Sequence, residues 1–211
     1  MIESWNRRAW RIAWPTIVSN VSVPLLGAVD IAVVGHLPDP KYLGAVAVGT
    51  LIFTVIYHGF IFLRMATTGL TAQALGLANP DEVRAWLVRG GVLAGLIGCG
   101  LFACQVSIIW VGNALISPSP EIATLAGDYI AIRIWGAPAA LFNFVLLGWF
   151  FGIQKAYAAL ITQVFMNVLN IGLDLWFVTG LKMGVEGVAY ATVIAQFSTV
   201  VVGLVMVRVH L

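Results

Sequence analysis

Six stretches of predominantly apolar residues, each about as long as a bilayer is thick, constrain this chain more than any other feature of its sequence. A helix rises ~1.5 Å per residue, so about 20 residues cross a hydrocarbon core of ~30 Å. The stretches cover about residues 12–34, 42–66, 86–111, 122–151, 157–178 and 185–207. Because only short turn segments separate them, consecutive helices are expected to be antiparallel neighbours. The predicted fold is an all-α integral membrane bundle of six transmembrane helices, with residues 1–211 forming one unit.

The composition excludes most soluble classes of protein. Of 211 residues, 61% are hydrophobic and 9% are charged, whereas soluble domains average roughly 45–50% apolar and about 25% charged residues. A net charge of +2 is too small to indicate a nucleic-acid partner, and membrane lipid is the expected surrounding. No hydrolase, metalloprotease or phosphate-loop motif occurs, so an enzyme is not expected. Cys99 and Cys104 are expected to pack as small apolar residues.

The distribution of basic residues outside the spans predicts the orientation. On the N-terminal side of the bundle they are Arg7, Arg8, Arg11, Arg84, Arg89, Lys155 and Arg208. On the other side they are Lys41 and Lys182. Since cytoplasmic loops carry the excess of Lys and Arg, both termini are predicted to be cytoplasmic in a multi-pass protein of the plasma (inner) membrane.

Two acids lie inside predicted spans. Asp30 and Asp174 are each about four or five residues from the external end of the first and fifth spans. A charged side chain in the bilayer costs at least ~2.5–3.5 kcal/mol on insertion scales, so two acids at matched depth indicate a cation or proton site. A carboxyl group without a fixed counter-charge favours its protonated form, and the ionised group can hold Na⁺. The alternative is that a structural hydrogen bond or a nearby Arg neutralises each acid.

Amide side chains accompany the second acid. Gln163, Asn167, Asn170 and Asp174 follow at spacings of four, three and four, which places them along one helix face. Amide groups can hold a carboxyl group in either protonation state and can coordinate Na⁺. Alternatively, such residues join membrane helices, typically at ~1 kcal/mol or less each.

The first span also contains Pro15 and Pro24, each of which removes a backbone hydrogen bond and favours a kink. They are candidate hinge residues, with a purely structural role as the alternative. Asn20, between them, and Asn143 in the fourth span are candidate cavity residues. Arg133, in a fourth helix too long for the bilayer, is expected near the external interface and paired with an acid there.

Several longer segments of the sequence are similar to segments of one known family. VDIAVVGHL at 29–37 and FLRMATTGLTAQALG at 62–76 resemble the first and second helices of the multidrug and toxic compound extrusion (MATE) family, in its DinF-like branch. RIWGAP at 133–138, GWFFGIQ at 148–154, NVLNIGLD at 167–174 and GVEGVAYAT at 184–192 are similar to its fourth, fifth and sixth helices. The similar segments occur in the family's order along the whole chain.

This resemblance implies a cation-coupled exporter of the MOP superfamily that expels cationic or amphipathic compounds by alternating access, with H⁺ or Na⁺ as the coupling ion and no cofactor. Family members carry a Pro and an Asp on a bent first helix, similar to Pro15 and Asp30 here. Their fifth-helix Asn and Asp resemble Asn170 and Asp174, and a sixth-helix Thr resembles Thr192. In the family these residues line the cavity of the N-terminal lobe.

The family has twelve spans in two lobes of six, and this chain ends just after the sixth. The expectation is therefore the N-terminal lobe of a truncated sequence, which needs a C-terminal lobe or a second copy as its partner. Two other functions remain open at this point. One is a lipid-linked oligosaccharide flippase of related topology, and the other is a membrane assembly module that transports nothing.

Overall fold

The computed structural model describes the backbone of residues 5–35, 37 and 39–210, and all of their side chains except those of residues 5–9, 11, 12, 19, 20 and 22–26. Nine α-helices cover nearly all of this part of the chain, and it contains no strand. They are α1 (Trp5–Val34), α2 (Pro40–Gly59), α3 (Phe62–Gly76), α4 (Pro80–Ala103), α5 (Gln105–Ile116), α6 (Pro120–Arg133), α7 (Ala137–Gly152), α8 (Ala156–Asp174) and α9 (Gly184–His210). A 3₁₀ turn, Ile134–Gly136, joins α6 to α7, and a π-helix, Leu175–Gly180, continues α8.

Some of these helices join end to end, and the resulting helical segments, called rods below, are long enough to cross a membrane. Five helical segments of the described chain are long and apolar enough to cross a membrane, namely Pro40–Gly76, Pro80–Ala103, Pro120–Gly152, Ala156–Gly180 and Gly184–His210. The N-terminal helix α1 adds a further rod of 30 residues. Many large apolar side chains on the outside of these rods are exposed, as at Val55, Val88 and Leu96, which is the surface a lipid-embedded bundle presents. The predicted all-α membrane fold is confirmed.

Local sequence explains where the rods begin. Asn79 Oδ1 accepts a hydrogen bond from the Glu82 N–H at 3.1 Å, and Pro80 takes the first position of α4. Asp39 caps α2 in the same way, accepting from the Lys41 N–H at 3.0 Å. This bond, together with the Lys41 ammonium, holds the pKa of Asp39 below its ordinary value. These two caps fix where the second and third rods begin.

Packing between rods produces two apolar cores. Residues of α1, α2, α6 and α9 form one core, and residues of α3, α4, α7, α8 and the end of α9 form the other. The first core surrounds Val34, Phe53 and Tyr129, and the second surrounds Leu141 and Trp149. Buried polar side chains lie beside these cores, where α1, α8 and α9 meet.

Candidate functional site

Four of the predicted site residues come together where α1, α8 and α9 meet. Asp30 of α1, Asn170 and Asp174 of α8, and Thr192 of α9 are all buried, with at most 1% of each residue exposed. Asn170 and Asp174 lie one helical turn apart on the same face of α8, which α1 covers. Three rods thus contribute to a single polar cluster inside the bundle.

The amide of Asn170 joins the two acids. With its nitrogen facing the carboxyl groups, which is the orientation that satisfies both ends of the amide, Asn170 donates to Asp30 Oδ1 and to Asp174 Oδ2 at 3.1 Å each. The other terminal atom of the amide lies 3.4 Å from Thr192 Oγ1. The Thr192 hydroxyl donates its one proton to the Val188 carbonyl oxygen at 2.9 Å. One amide therefore sets the separation of two carboxyl groups.

Each acid keeps one oxygen free of a donor. Asp30 Oδ2 and Asp174 Oδ1 are buried, and no described hydrogen-bond donor reaches them. Because Asp30 Oδ1 and Asp174 Oδ2 both lie 3.1 Å from one amide nitrogen, the two carboxyl groups are close neighbours. A bond between carboxyl groups requires a proton on one of them, because an ionised carboxylate only accepts. The pair is chemically suited to hold a proton, or a small cation in its place.

The π-helix begins directly after the second acid. Asp174 is the last residue of α8, and Leu175–Gly180 continues the rod with the wider turn, closed by a bond from the Leu181 N–H to the Trp176 carbonyl at 2.9 Å. π-turns inside longer helices are frequent at functional sites. The change of helix type thus lies immediately beside a member of the acid cluster.

Arg133 differs from its expected placement. It is buried in the first core, at 8% exposure, and no acid among the described side chains forms an ion pair with it. Its Nη1 donates to the Tyr129 hydroxyl and to Thr50 Oγ1, the latter at 3.4 Å. Its guanidinium also lies 5.0 Å from the centroid of the Phe53 ring. The expected interface ion pair is wrong, because aromatic rings and hydroxyls of α2 and α6 surround the guanidinium.

Two predicted cavity residues, Asn143 of α7 and Gln163 of α8, lie in a separate polar group nearer the beginning of α8. Asn143 and Gln163 are buried and line a cavity of about 10 Å³, which is room for about one water molecule. Asn143 Nδ2 donates to the Gln196 carbonyl oxygen at 3.1 Å. Gln163 Nε2 donates to Asn167 Oδ1 at 3.4 Å, and Asn167 is half-buried. The described chain alone has no ligand-sized cavity at these residues.

On α9 the sequence reasoning identified Thr192 but missed Gln196 and Thr199, which continue the same face. Thr192, Gln196 and Thr199 are all buried and follow at spacings of four and three. That spacing puts them on the face of α9 that meets α8, opposite the amide stripe. The same periodicity argument that singled out α8 would have identified it.

The candidate hinge residues lie in one continuous helix. α1 runs from Trp5 to Val34 through both Pro15 and Pro24. The ring of Pro15 is buried. The side chains of Pro24 and Asn20 lie outside the described residues. Hinge motion in α1 stays a prediction.

Comparison with known proteins identifies relatives of this chain. The chain is 45% identical over 207 residues to the DNA damage-inducible protein F of Escherichia coli strain K12, covering 98% of this chain and 45% of that protein. It is 28% identical over 197 residues to the multidrug resistance protein MdtK of Pectobacterium atrosepticum, covering 89% of this chain and 42% of that protein. The chain therefore spans about half the length of the relatives it matches.

Solved structures agree with the sequence relatives. A MATE crystal structure in the bent conformation superposes with a TM-score of 0.86 at 25% identity, covering 94% of this chain and 44% of that one. An outward-facing multidrug resistance MATE family transporter of the MOP superfamily gives 0.83 at 25% identity, covering 92% and 43%. The MatE family model matches residues 15–176. The buried acid cluster thus lies in a chain that belongs to the MatE family of membrane transporters.

Proposed function

We propose that this chain forms the N-terminal lobe of a cation-coupled multidrug efflux antiporter. The observation that carries the proposal is the pair of buried acids, Asp30 and Asp174, joined through the amide of Asn170. Buried polar groups are normally satisfied, so a bound proton or cation would complete the bonding of this pair. Here each acid has an oxygen open to a proton or Na⁺.

In this function Asp30, Asn170, Asp174 and Thr192 hold the coupling ion. A proton would occupy the bond between the carboxyl groups. Na⁺ would take the open carboxylate oxygens and the Thr192 hydroxyl oxygen, and the Asn170 amide would have to turn so that its oxygen faces the ion; oxygen ligands of this kind are the ones that hard cations prefer. Both ions neutralise a buried charge and so favour the same compact arrangement.

Ion binding is coupled to movement through α1. This helix carries Asp30 near one end and Pro15 and Pro24 along its length. Because each proline leaves the carbonyl four residues earlier without its helical donor, α1 bends there at lower cost than elsewhere. Release of the ion leaves two like charges on α1 and α8, and their repulsion favours separation of the helices. A bend of α1 would then change the lobe surface and release a substrate outward.

The substrate cavity in this proposal is completed by a second lobe. Asn20, Asn143, Gln163 and Asn167 contribute polar groups, but drug-sized ligands need roughly 300–1,000 Å³, against about 10 Å³ at Asn143 and Gln163 here. The relatives of about twice this length support a C-terminal lobe, or a second copy, as the partner. The expected substrates are cationic or amphipathic compounds, and both termini would be cytoplasmic.

A chimera tests the proposal in a full-length protein. The chain replaces the matching 207 residues of the Escherichia coli relative, and efflux of a cationic dye is followed in vesicles carrying an ion gradient. Asp174→Asn is expected to abolish gradient-driven efflux while membrane insertion is unchanged. The matched control is Asp81→Asn, whose carboxylate is exposed and which should transport normally. Normal efflux by the Asp174→Asn chimera would overturn the proposed mechanism.

A further inference from the structure

Among the described residues, three charged side chains are buried, and they are Asp30, Asp174 and Arg133. Thr50 connects Arg133 to the helix that carries Asp30: Arg133 Nη1 lies 3.4 Å from Thr50 Oγ1, and a Cβ at Gly27, about one turn before Asp30 on α1, would lie 4.0 Å from Thr50 Cγ2. Arg133 nevertheless forms no ion pair with either acid, since its N–H groups point to Tyr129 and Thr50. The guanidinium therefore lies in the same buried part of the bundle as the acids and leaves their oxygens unoccupied.

The groups that hold Arg133 are neutral. The Tyr129 and Phe53 rings lie 5.4 and 5.0 Å from its guanidinium carbon, in the range of cation–π contacts. The Tyr57 ring packs against the Phe53 ring, with 5.5 Å between centroids, and neither the buried Tyr57 hydroxyl nor Arg133 Nε has a described hydrogen-bond partner. A guanidinium stays charged in such surroundings where an ammonium readily loses its proton. Its charge is thus a constant feature of the lobe.

The fixed charge of Arg133 determines how many cations neutralise the buried cluster. With both acids ionised, the buried cluster carries two negative charges and one fixed positive charge. One added monovalent cation then makes the cluster neutral, and a second would leave a net buried charge, which is costly in a low-dielectric interior. Without the guanidinium, the same acids would be neutral only with two cations and would attract the first more strongly.

We propose that Arg133 is a positioning residue for the cation site: its fixed charge limits the acid pair to one monovalent cation and weakens the hold on that cation so that it can leave. The inference rests on the proposed function, because it assumes that Asp30 and Asp174 take a coupling ion. It goes beyond that function by assigning a stoichiometry and a release mechanism to a residue outside the acid cluster.

Binding of radioactive Na⁺ to the purified 211-residue chain in detergent, at one mildly alkaline pH, tests the inference. Arg133→Met is expected to bind Na⁺ about tenfold more tightly than the unsubstituted chain, because a repelling charge is removed. Arg133→Lys is expected to bind Na⁺ with an affinity between those of the unsubstituted chain and Arg133→Met, because a buried ammonium loses its proton more readily than a guanidinium. Arg133→Gln is measured in parallel, since its amide can keep the hydrogen bond to Tyr129 if Met is poorly tolerated.

Whether Na⁺ affinity rises or falls in the Arg133 variants distinguishes an electrostatic role of Arg133 from a structural one. Damage to the fold would weaken Na⁺ binding, whereas removal of a competing charge tightens it. Unchanged or weaker binding by folded Arg133→Met and Arg133→Gln overturns the inference. Absence of Na⁺ binding by the unsubstituted chain also overturns it, while a proton-coupled function would stand. Asp174→Asn that binds Na⁺ like the unsubstituted chain would instead refute the proposed site itself.

Discussion

Asp30 and Asp174, from the first and fifth rods, accept hydrogen bonds from the same amide nitrogen, that of Asn170, at 3.1 Å each. Two acids that share a donor cannot be adjusted independently, because any movement of α1 relative to α8 changes both bonds at once. The relationship makes Asn170 the structural centre of the cluster, although it carries no charge.

Asn170→Leu should therefore destabilise the chain. It removes the only described donor to each carboxyl group, and hydrogen bonds to charged groups contribute about 1.5–3 kcal/mol each. We expect a loss of about 2 kcal/mol or more in the free energy of unfolding, measured by thermal or denaturant unfolding in detergent. The matched control is Asn113→Leu on α5, where Oδ1 has no described partner. Equal losses in the two variants would contradict the bridging role.

The acid pair could be predicted from sequence because depth in a membrane follows from counting residues to the end of a span. Asp30 and Asp174 lie at matched distances from such ends, and the amide stripe of α8 follows from helical spacing. Neither argument needs to know which helices touch. Helical spacing along one face of α8 and the distance of each acid from the end of its span were therefore enough to predict most of the site.

Arg133 could not be placed by the same reasoning. It lies in a rod of 33 residues, Pro120–Gly152, which is longer than a bilayer needs, so counting from its ends does not fix the depth of a residue. Its burial depends on Thr50 and Phe53 from a different rod. Contacts between helices distant in sequence decide such a position, and periodicity within one helix contains no information about them.

Trp149→Phe should reveal how much the second core depends on one hydrogen bond. The Trp149 side chain is fully buried, and its Nε1 donates to the Val83 carbonyl oxygen at 2.8 Å. Phe leaves that carbonyl without its donor and leaves a small void, so the expected loss is about 2–3 kcal/mol of unfolding free energy. Trp110→Phe, at a position 72% exposed, should change stability by no more than about 0.5 kcal/mol. Similar losses at both positions would contradict the assignment.

Gly148→Ala should force α3 and α7 apart. A Cβ at Gly148 would lie 2.5 Å from the Arg64 carbonyl oxygen and 3.1 Å from Thr67 Cβ. Because backbone cannot move aside as a flexible side chain does, we expect a cost of about 1–3 kcal/mol in the unfolding free energy. At Gly95, within α4, a Cβ would meet nothing within 4 Å. Gly95→Ala should therefore be neutral or stabilising by up to about 1 kcal/mol. The close approach would be refuted if both variants had the same stability.

Gln154→Gly and Gly184→Ala should change stability in opposite directions. Gln154 follows α7 with φ of 61°, and Gly184 begins α9 with φ of 63°. An L side chain in this left-handed region costs roughly 1–2 kcal/mol, whereas Gly adopts it freely. Gln154→Gly is therefore expected to stabilise the chain by up to about 1 kcal/mol, since the added freedom of the unfolded chain offsets part of the gain. Gly184→Ala should cost about 1 kcal/mol. Unfolding in detergent measures both, and a shift of the same sign in the two variants would show that backbone strain does not govern these turns.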